Sequence, residues 1–505
     1  MRSVPGGKEN ATGGETESLL DWMNRQYAFS AAAMVRAISA TDLVKERRGF
    51  GQTIRPSPGS VLASPEIASY DPDPDYFFHW VRDSALVMDA LRALIADRAF
   101  GLEVLQHFAD FVDFSVALCR LDGGEFVKRV DFGAKIDPAS RVYARSADEL
   151  SRIVGDHVLG EPRFNPDGTL DVIKWGRPQY DGPALRALTL LRLWRHDALR
   201  ERVNRPSLSS LLEQDLDFTL HHFQEPCFDL WEETFGHHYH TRLVQYAALG
   251  DGADWMDQTG DPARASAYRA AALELRERLD AHFDACDGIY VSHAVETSET
   301  AGFAEAKQLD IAIVLAVIQA ARPNGPHGVL DPKVLATLAR LEALFAKAYK
   351  INRERAASCA PAMGRYSNDV YYSGGAYYFS TLGAAQFYFC FAEAVGRGPM
   401  VPISNSNRAL LADMLGTPPA ALGATSLETR HTEGLLSALL KRGDMFMAMV
   451  RLHTPASGEL SEQFDQTNGA QTSAKNLTWS HAAFIAAFAG RKAAVNAGSG
   501  RLSKP

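Results

Sequence analysis

The sequence predicts an all-α protein, arranged as a closed double ring of about twelve helices, and three observations carry that expectation. Apolar residues return at three- and four-residue spacing in one segment after another: 83–97, 183–195, 262–284, 305–322, 333–348, 377–396, 432–449 and 478–489. Strand-like alternation is short and scattered, as over Glu125–Val130 and Gly288–His293, which suits local hairpins rather than an extended sheet. No strong linker divides the chain. An irregular helical bundle satisfies the same pattern, but a double ring brings the helix-joining loops together at one face.

The elements have local reasons. Asp181-Gly182 is a turn pair, and Pro183 after it suits a first helical turn, where its missing N–H is not needed. The stretch RGPMVPISNSNR at 397–408 loses periodicity and is the most linker-like, though it is short. Residues 1–17 and 492–505 read as polar tails, leaving 18–491 as one folded domain.

The 505 residues are 46% hydrophobic and 22% charged, enough apolar surface for a large core. With a formal charge of −9 and no dense Lys/Arg run, nucleic acid is not an expected partner. The N-terminus lacks the apolar centre of a secretory signal, and no apolar stretch is long enough to cross a bilayer, so the expectation is a cytoplasmic protein that is not membrane-bound. Cys119, Cys227, Cys286, Cys359 and Cys390 are widely spaced and without a CxxC pattern, which reads as buried free thiols. His237-His238-Tyr239-His240 has no further ligands at metal spacing, and no phosphate-binding glycine motif is present, so neither metal nor cofactor is expected.

The chemistry gathers in loops between the helices. DPDPDYFFHWVRD at 71–83 ends where a helix begins. Arg82 and Asp83 can clamp vicinal sugar hydroxyls, and Tyr76 and Trp80 offer ring faces to sugar C–H surfaces. Taken alone, Asp83 reads first as a helix cap. WGRPQYDGPALR at 175–186 repeats the combination of aromatic, arginine and aspartate at a helix start, which favours a site. FDLWEETFG at 228–236 sets Glu232 beside Trp231, where poor solvation raises a carboxyl pKa and suits a general acid. LSEQFDQTNGAQTSAKNLTW at 460–479 places Glu462 in a polar loop, where a carboxylate stays ionised and can activate water. An inverting glycosidase needs such a pair about 6.5–9.5 Å apart.

These segments, with GRYSNDVYYSG at 364–374 and LGEPRFNPDG at 159–168, resemble glycoside hydrolase family 15, the glucoamylases, in the family's order from about Asp75 to Phe484. The resemblance implies an (α/α)6 barrel, hydrolysis from non-reducing ends of α-glucans with release of β-glucose, and no cofactor. It implies Glu232 as general acid and Glu462 as general base, with Tyr76 and Gln463 holding the attacking water. It places Arg82, Asp83 and Arg365 on the terminal glucose, Trp80 and Trp479 as walls, and Trp175, Asp229, Trp231 and Glu233 around the acid. Asp369, Tyr371 and Tyr377 join the substrate-binding set. Tyr180, Ser367-Asn368, Thr234-Phe235 and Tyr377 depart from the familiar fungal pattern and are expected on the leaving-group side. Ranked after α-1,4 hydrolysis stand α-1,6 hydrolysis (glucodextranase or isomaltose glucohydrolase) and trehalose cleavage. A non-catalytic sugar-binding protein and a phosphorylase are the rivals from other classes, and the carboxylate base at Glu462 argues against both.

Overall fold

The computed structural model describes residues 17–68, 72–97, 104–130, 135–201, 203–294, 307–398 and 400–502. Among them twelve helices have nine or more residues. They are α1 (Leu19–Arg36), α2 (Val81–Ala96), α3 (Leu105–Leu118), α4 (Asp181–Trp194), α5 (Arg205–His222) and α6 (Tyr239–Thr259). There follow α7 (Pro262–Asp280), α8 (Ala312–Ala320), α9 (Pro332–Ala348), α10 (Tyr378–Arg397), α11 (Thr432–His453) and α12 (Thr478–Leu502).

The even-numbered helices form the inner ring: α2 packs on α4, α4 on α6, α6 on α8, α8 on α10, α10 on α12, and α12 closes on α2. The odd-numbered helices lie outside. This is the (α/α)6 barrel. Position in the ring follows from burial: α8 is buried along its whole length and α4 along most of it, whereas outer α7 buries one stripe through Tyr268, Leu275 and Leu279. One apolar cluster runs through the ring from Trp22 to Ala494. No helix among the described residues is long and apolar enough to cross a membrane.

Several boundaries differ from the sequence reading. Glu125–Val130, read as strand-like, belongs to a short helix over Gly123–Val130, because the Asp122 carboxylate accepts the Glu125 N–H and Phe126 packs on a side cluster. The pattern at 262–284 stops at Asp280, and Phe283–Asp284 pairs with Ile289–Tyr290 as the expected hairpin. The pattern at 305–322 narrows to Ala312–Ala320, since the Asp310 carboxylate takes the Ala312 N–H and starts the helix there; residues 305–306 lie outside the described residues. The last helix runs on to Leu502, through most of the expected tail, and Gly396 admits it: a Cβ there would come within 2.9 Å of the Ala497 Cβ. The N-terminal tail falls outside the described residues but for Glu17. The segment 397–408 is no free linker, for Val401 and Ile403 are buried and hydrogen-bonded to Leu427 and Thr425.

Candidate active site

The loops that enter five of the inner helices, α2, α4, α6, α10 and α12, meet at one end of the ring. They enclose a cavity of about 270 Å³ lined by Tyr76, Trp80, Arg82, Asp83, Trp175, Trp231, Glu232, Glu233, Arg365, Tyr371, Tyr377, Glu462 and Trp479, with Gly176, Leu230, Phe379 and Leu477. Thirteen of the sixteen residues expected from sequence thus line one pocket.

Entry to α2 is fixed by a short antiparallel pair, Trp80 opposite Arg163 and His79 opposite Phe164. Helix α2 starts at Val81, so Asp83 sits in its first turn, and its carboxyl serves the pocket as well as the helix end. Arg82 donates to Gln179 at 2.9 Å, to Asp181 at 3.2 Å and to Glu232 at 3.2 Å. Its Nε and the Asp83 Oδ2 are buried and face each other at 3.5 Å as an ion pair, with neither atom hydrogen-bonded. Buried charged atoms with open valences are costly unless a ligand completes them. Burial, with Glu232 and Asp181 nearby, raises the Asp83 carboxyl to about 6 against the pull of Arg82.

Glu232 stands on a turn whose backbone is left-handed, with φ of 66°. For a glutamate that is a strained conformation, of a kind that collects at functional sites. Asp229 builds the turn: its carboxylate accepts the N–H groups of Glu233 (2.8 Å) and Thr234 (3.0 Å). Gly176 passes directly beneath, where a Cβ would meet the Glu232 carbonyl oxygen at 2.8 Å. The Glu232 carboxylate then accepts from Trp80 Nε1 at 2.8 Å, from Trp175 Nε1 and from Arg82.

Glu462 stands across the pocket, before a strand in which Gln463 pairs with Tyr377 on one side and Thr472 on the other. Ser473 donates to one of its oxygens and Tyr76 to the other at 3.4 Å. The sequence reading has Glu462 in a polar loop where a carboxylate stays ionised, and the structure adds that the group is buried. Only 8% of the residue is exposed. Burial, reinforced by the Asp83 charge, lifts its carboxyl to about 7 despite Ser473, Arg365 and Tyr76. The Tyr76 and Trp80 rings lie 5.2 Å apart in the lining, Tyr76 bonded to Glu462 and Trp80 to Glu232.

Arg365 makes a two-pronged pair with Asp369, both bonds 2.7 Å, and reaches Glu233 at 2.8 Å. Glu233 also accepts from Tyr366 at 2.5 Å and from Lys307. Burial pushes its carboxyl up, but these partners outweigh it and hold the group below the ordinary range.

Three expected site residues stand behind the lining. Gln463 spends its amide on Tyr377 (2.8 Å), Tyr371 and Ser373, so it orients Tyr377 instead of facing the pocket as a water ligand. Asp369 orients Arg365, and Asp229 the acid turn. Tyr180 is corrected too: it turns outward, donating to Glu225 at 3.0 Å and packing on Phe218, away from the leaving-group side. His238 and His240 are buried and hydrogen-bonded to the Cys227 carbonyl and to Gln319. Among the described residues no group of three or more His, Cys, Asp or Glu is placed to hold a metal. The cysteines are free, but Cys286 is exposed rather than buried.

A profile of "Glycosyl hydrolases family 15" matches residues 49–489. The chain belongs to glycosyl hydrolases family 15. Among family 15 proteins, Glucoamylase 1 of Rhizopus oryzae is 29% identical over 488 residues, covering 94% of this chain and 71% of its own. The intracellular sporulation-specific glucoamylase of Saccharomyces cerevisiae is 26% identical over 466 residues, covering 86% and 78%. In fold, the Saccharomycopsis fibuligera glucoamylase superposes with a TM-score of 0.77 at 24% identity, over 97% of this chain and 99% of that one. The Hypocrea jecorina family 15 glucoamylase follows at 0.74 and 25%, over 94% and 72%.

Functional residues that sequence reasoning missed lie mostly behind the lining: Ser473, Gln179, Tyr366, Lys307 and Arg163. Asp310 belongs with them; it accepts the Trp231 indole N–H at 2.8 Å, and burial raises its carboxyl to about 8. The matched motifs offered a signal for four of them, since Ser473, Gln179, Tyr366 and Arg163 all lie within the quoted strings.

Proposed function

We propose that this family 15 hydrolase is an inverting, exo-acting glucoamylase that releases β-glucose from the non-reducing ends of α-glucans and malto-oligosaccharides. One observation carries the reading: a pocket of about 270 Å³ that brings together a buried Arg82–Asp83 pair with atoms lacking hydrogen bonds and the carboxyl groups of Glu232 and Glu462. That volume is at the small end for ligand sites, which run from about 300 to 1,000 Å³, and suits one sugar ring better than a chain.

Glu232 gives its proton to the glycosidic oxygen as the anomeric C–O bond breaks. Glu462 takes a proton from the water whose oxygen bonds to the anomeric carbon from the opposite face, so configuration inverts. A carboxylate whose pKa is near 7 is a stronger base than an ordinary one, so burial of Glu462 aids this step. Tyr76 and Ser473 hold Glu462, while Arg82 and Asp83 grip the terminal glucose. A second reading, α-1,6 specificity, draws support from Glu233, both of whose oxygens are already taken by Arg365, Lys307 and Tyr366. The expected cytoplasmic location favours soluble oligosaccharides as substrates, and cell fractionation tests it.

The test is proton NMR of glucose release from maltotriose, panose, isomaltose and trehalose. β-Glucose appearing first from maltotriose is the expected result. α-Glucose appearing first overturns the inverting assignment, and cleavage of isomaltose alone selects the second reading.

A further inference from the structure

Behind the acid, on the side away from the pocket, lies Arg163, a fully buried arginine that the mechanism above does not use. Its Nε donates to Asp171 at 2.8 Å, and its two terminal nitrogens have no hydrogen-bond partner among the described residues. Burial pushes the Asp171 carboxyl up, but Arg163 and Arg177 together hold it below the ordinary range. What satisfies the guanidinium plane is aromatic: its Cζ lies 3.7 Å from the Trp175 ring centroid, 4.8 Å from that of Trp80 and 4.1 Å from that of Phe78. Such desolvated cation–π contacts are among the stronger of their kind. Trp175 and Trp80 are the two indoles whose N–H groups end on Glu232.

We propose that Arg163 is a positioning residue that acts on the acid through the two indoles. Stacked against both rings, the cation draws electron density from them, so their N–H groups become stronger donors, and it fixes their planes toward Glu232. Glu232 accepts these bonds best as a carboxylate. Through the indoles Arg163 therefore adds to the direct pull of Arg82 on Glu232 and eases release of the proton to the leaving oxygen. Leaving the positive charge of Arg163 without a full set of hydrogen bonds is what makes the indole faces its main partners.

The inference rests on Glu232 as the acid, and its test has one readout that does not depend on that. Arg163→Met removes the charge at similar length, Arg163→Gln removes it but keeps a donor for Asp171, and Arg163→Lys keeps the charge. The alkaline limb of kcat/KM should move to higher pH by on the order of one unit in the two neutral variants, with Arg163→Lys returning most of the shift. In ¹⁵N-tryptophan-labelled protein, the indole N–H signals of Trp80 and Trp175, assigned by Trp→Phe substitution, should move upfield in the neutral variants. Unmoved indole signals in a folded neutral variant overturn the proposal even if no substrate is turned over. Shifted signals with an unmoved alkaline limb overturn the link to the acid. If Arg163→Met does not fold, Arg163→Gln carries the same two readings.

Discussion

Two cavities meet back to back inside the ring, parted by the stacked Phe379 and Trp479 rings, whose centroids are 4.1 Å apart. The pocket at the loop end measures about 270 Å³, and the axial cavity beyond the stack about 500 Å³. The larger one is lined by small residues such as Ala90, Gly383, Ala486 and Gly490, and its charges are paired, Asp89 with both Arg92 and Arg192, Glu393 with Arg397. In the smaller one the Arg82 Nε and the Asp83 Oδ2 are buried without a hydrogen bond, and a carboxyl is raised to about 7. Volume therefore does not mark the site. Buried charged atoms with hydrogen-bonding positions still unfilled do, because that cost is offset only when a ligand binds.

The strongest way to break this comparison is to remove either carboxyl. Glu232→Gln and Glu462→Gln should each lower kcat by about 10²–10⁴-fold while glucose still binds, as measured by product inhibition or calorimetry. A loss of binding equal to the loss of rate would mean that these groups hold sugar rather than do chemistry. Next in size, Gly176→Ala should cost about a hundredfold in kcat/KM, because its Cβ must displace the Glu232 carbonyl, which lies 2.8 Å away. Wild-type kinetics in that variant would show that the acid turn tolerates movement.

A smaller effect is expected on pH dependence. Glu462 must be ionised to act as a base, so kcat/KM should fall about tenfold per unit as pH drops below about 7. Ser473→Ala removes a donor that favours the carboxylate, and the acid limb should then move to higher pH by on the order of one unit. A shift to lower pH would contradict the contact. Smallest of all, Ala486→Leu fills part of the axial cavity. It should leave kcat/KM within about twofold and stability within about 1.5 kcal/mol, by thermal unfolding. A large kinetic loss there would make the axial cavity part of the catalytic machinery.

Legibility in the sequence divides along physical lines. Helices with one apolar face, such as α9 and α11, are read nearly to their ends, since period and phase are local properties. Helix α8 is apolar all round, so its pattern carries no phase, and the 305–322 reading overran a start that the Asp310 side chain sets. The short helix at Gly123–Val130 was misread for a related reason: a few apolar residues among charges fit either period, and the Asp122 cap decides.

By itself the sequence determined the inventory: about twelve helices, the order of the loops, and the chemical types gathered in them, among them Glu232, Glu462, Arg82, Asp83 and the tryptophans. Family membership is carried by that order. The tertiary structure alone decided which way each side chain turns and what surrounds it. Gln463, Asp369 and Asp229 went behind the lining, Tyr180 turned outward, and Arg163 came to lie against two indoles from separate loops. The reason is twofold. Side-chain direction in these loops depends on isolated left-handed residues, Glu232, Asn368 and Tyr372, that no periodicity announces. Desolvation, which raises Glu462, is the summed effect of neighbours brought from distant parts of the chain, and it exists only once the ring has closed.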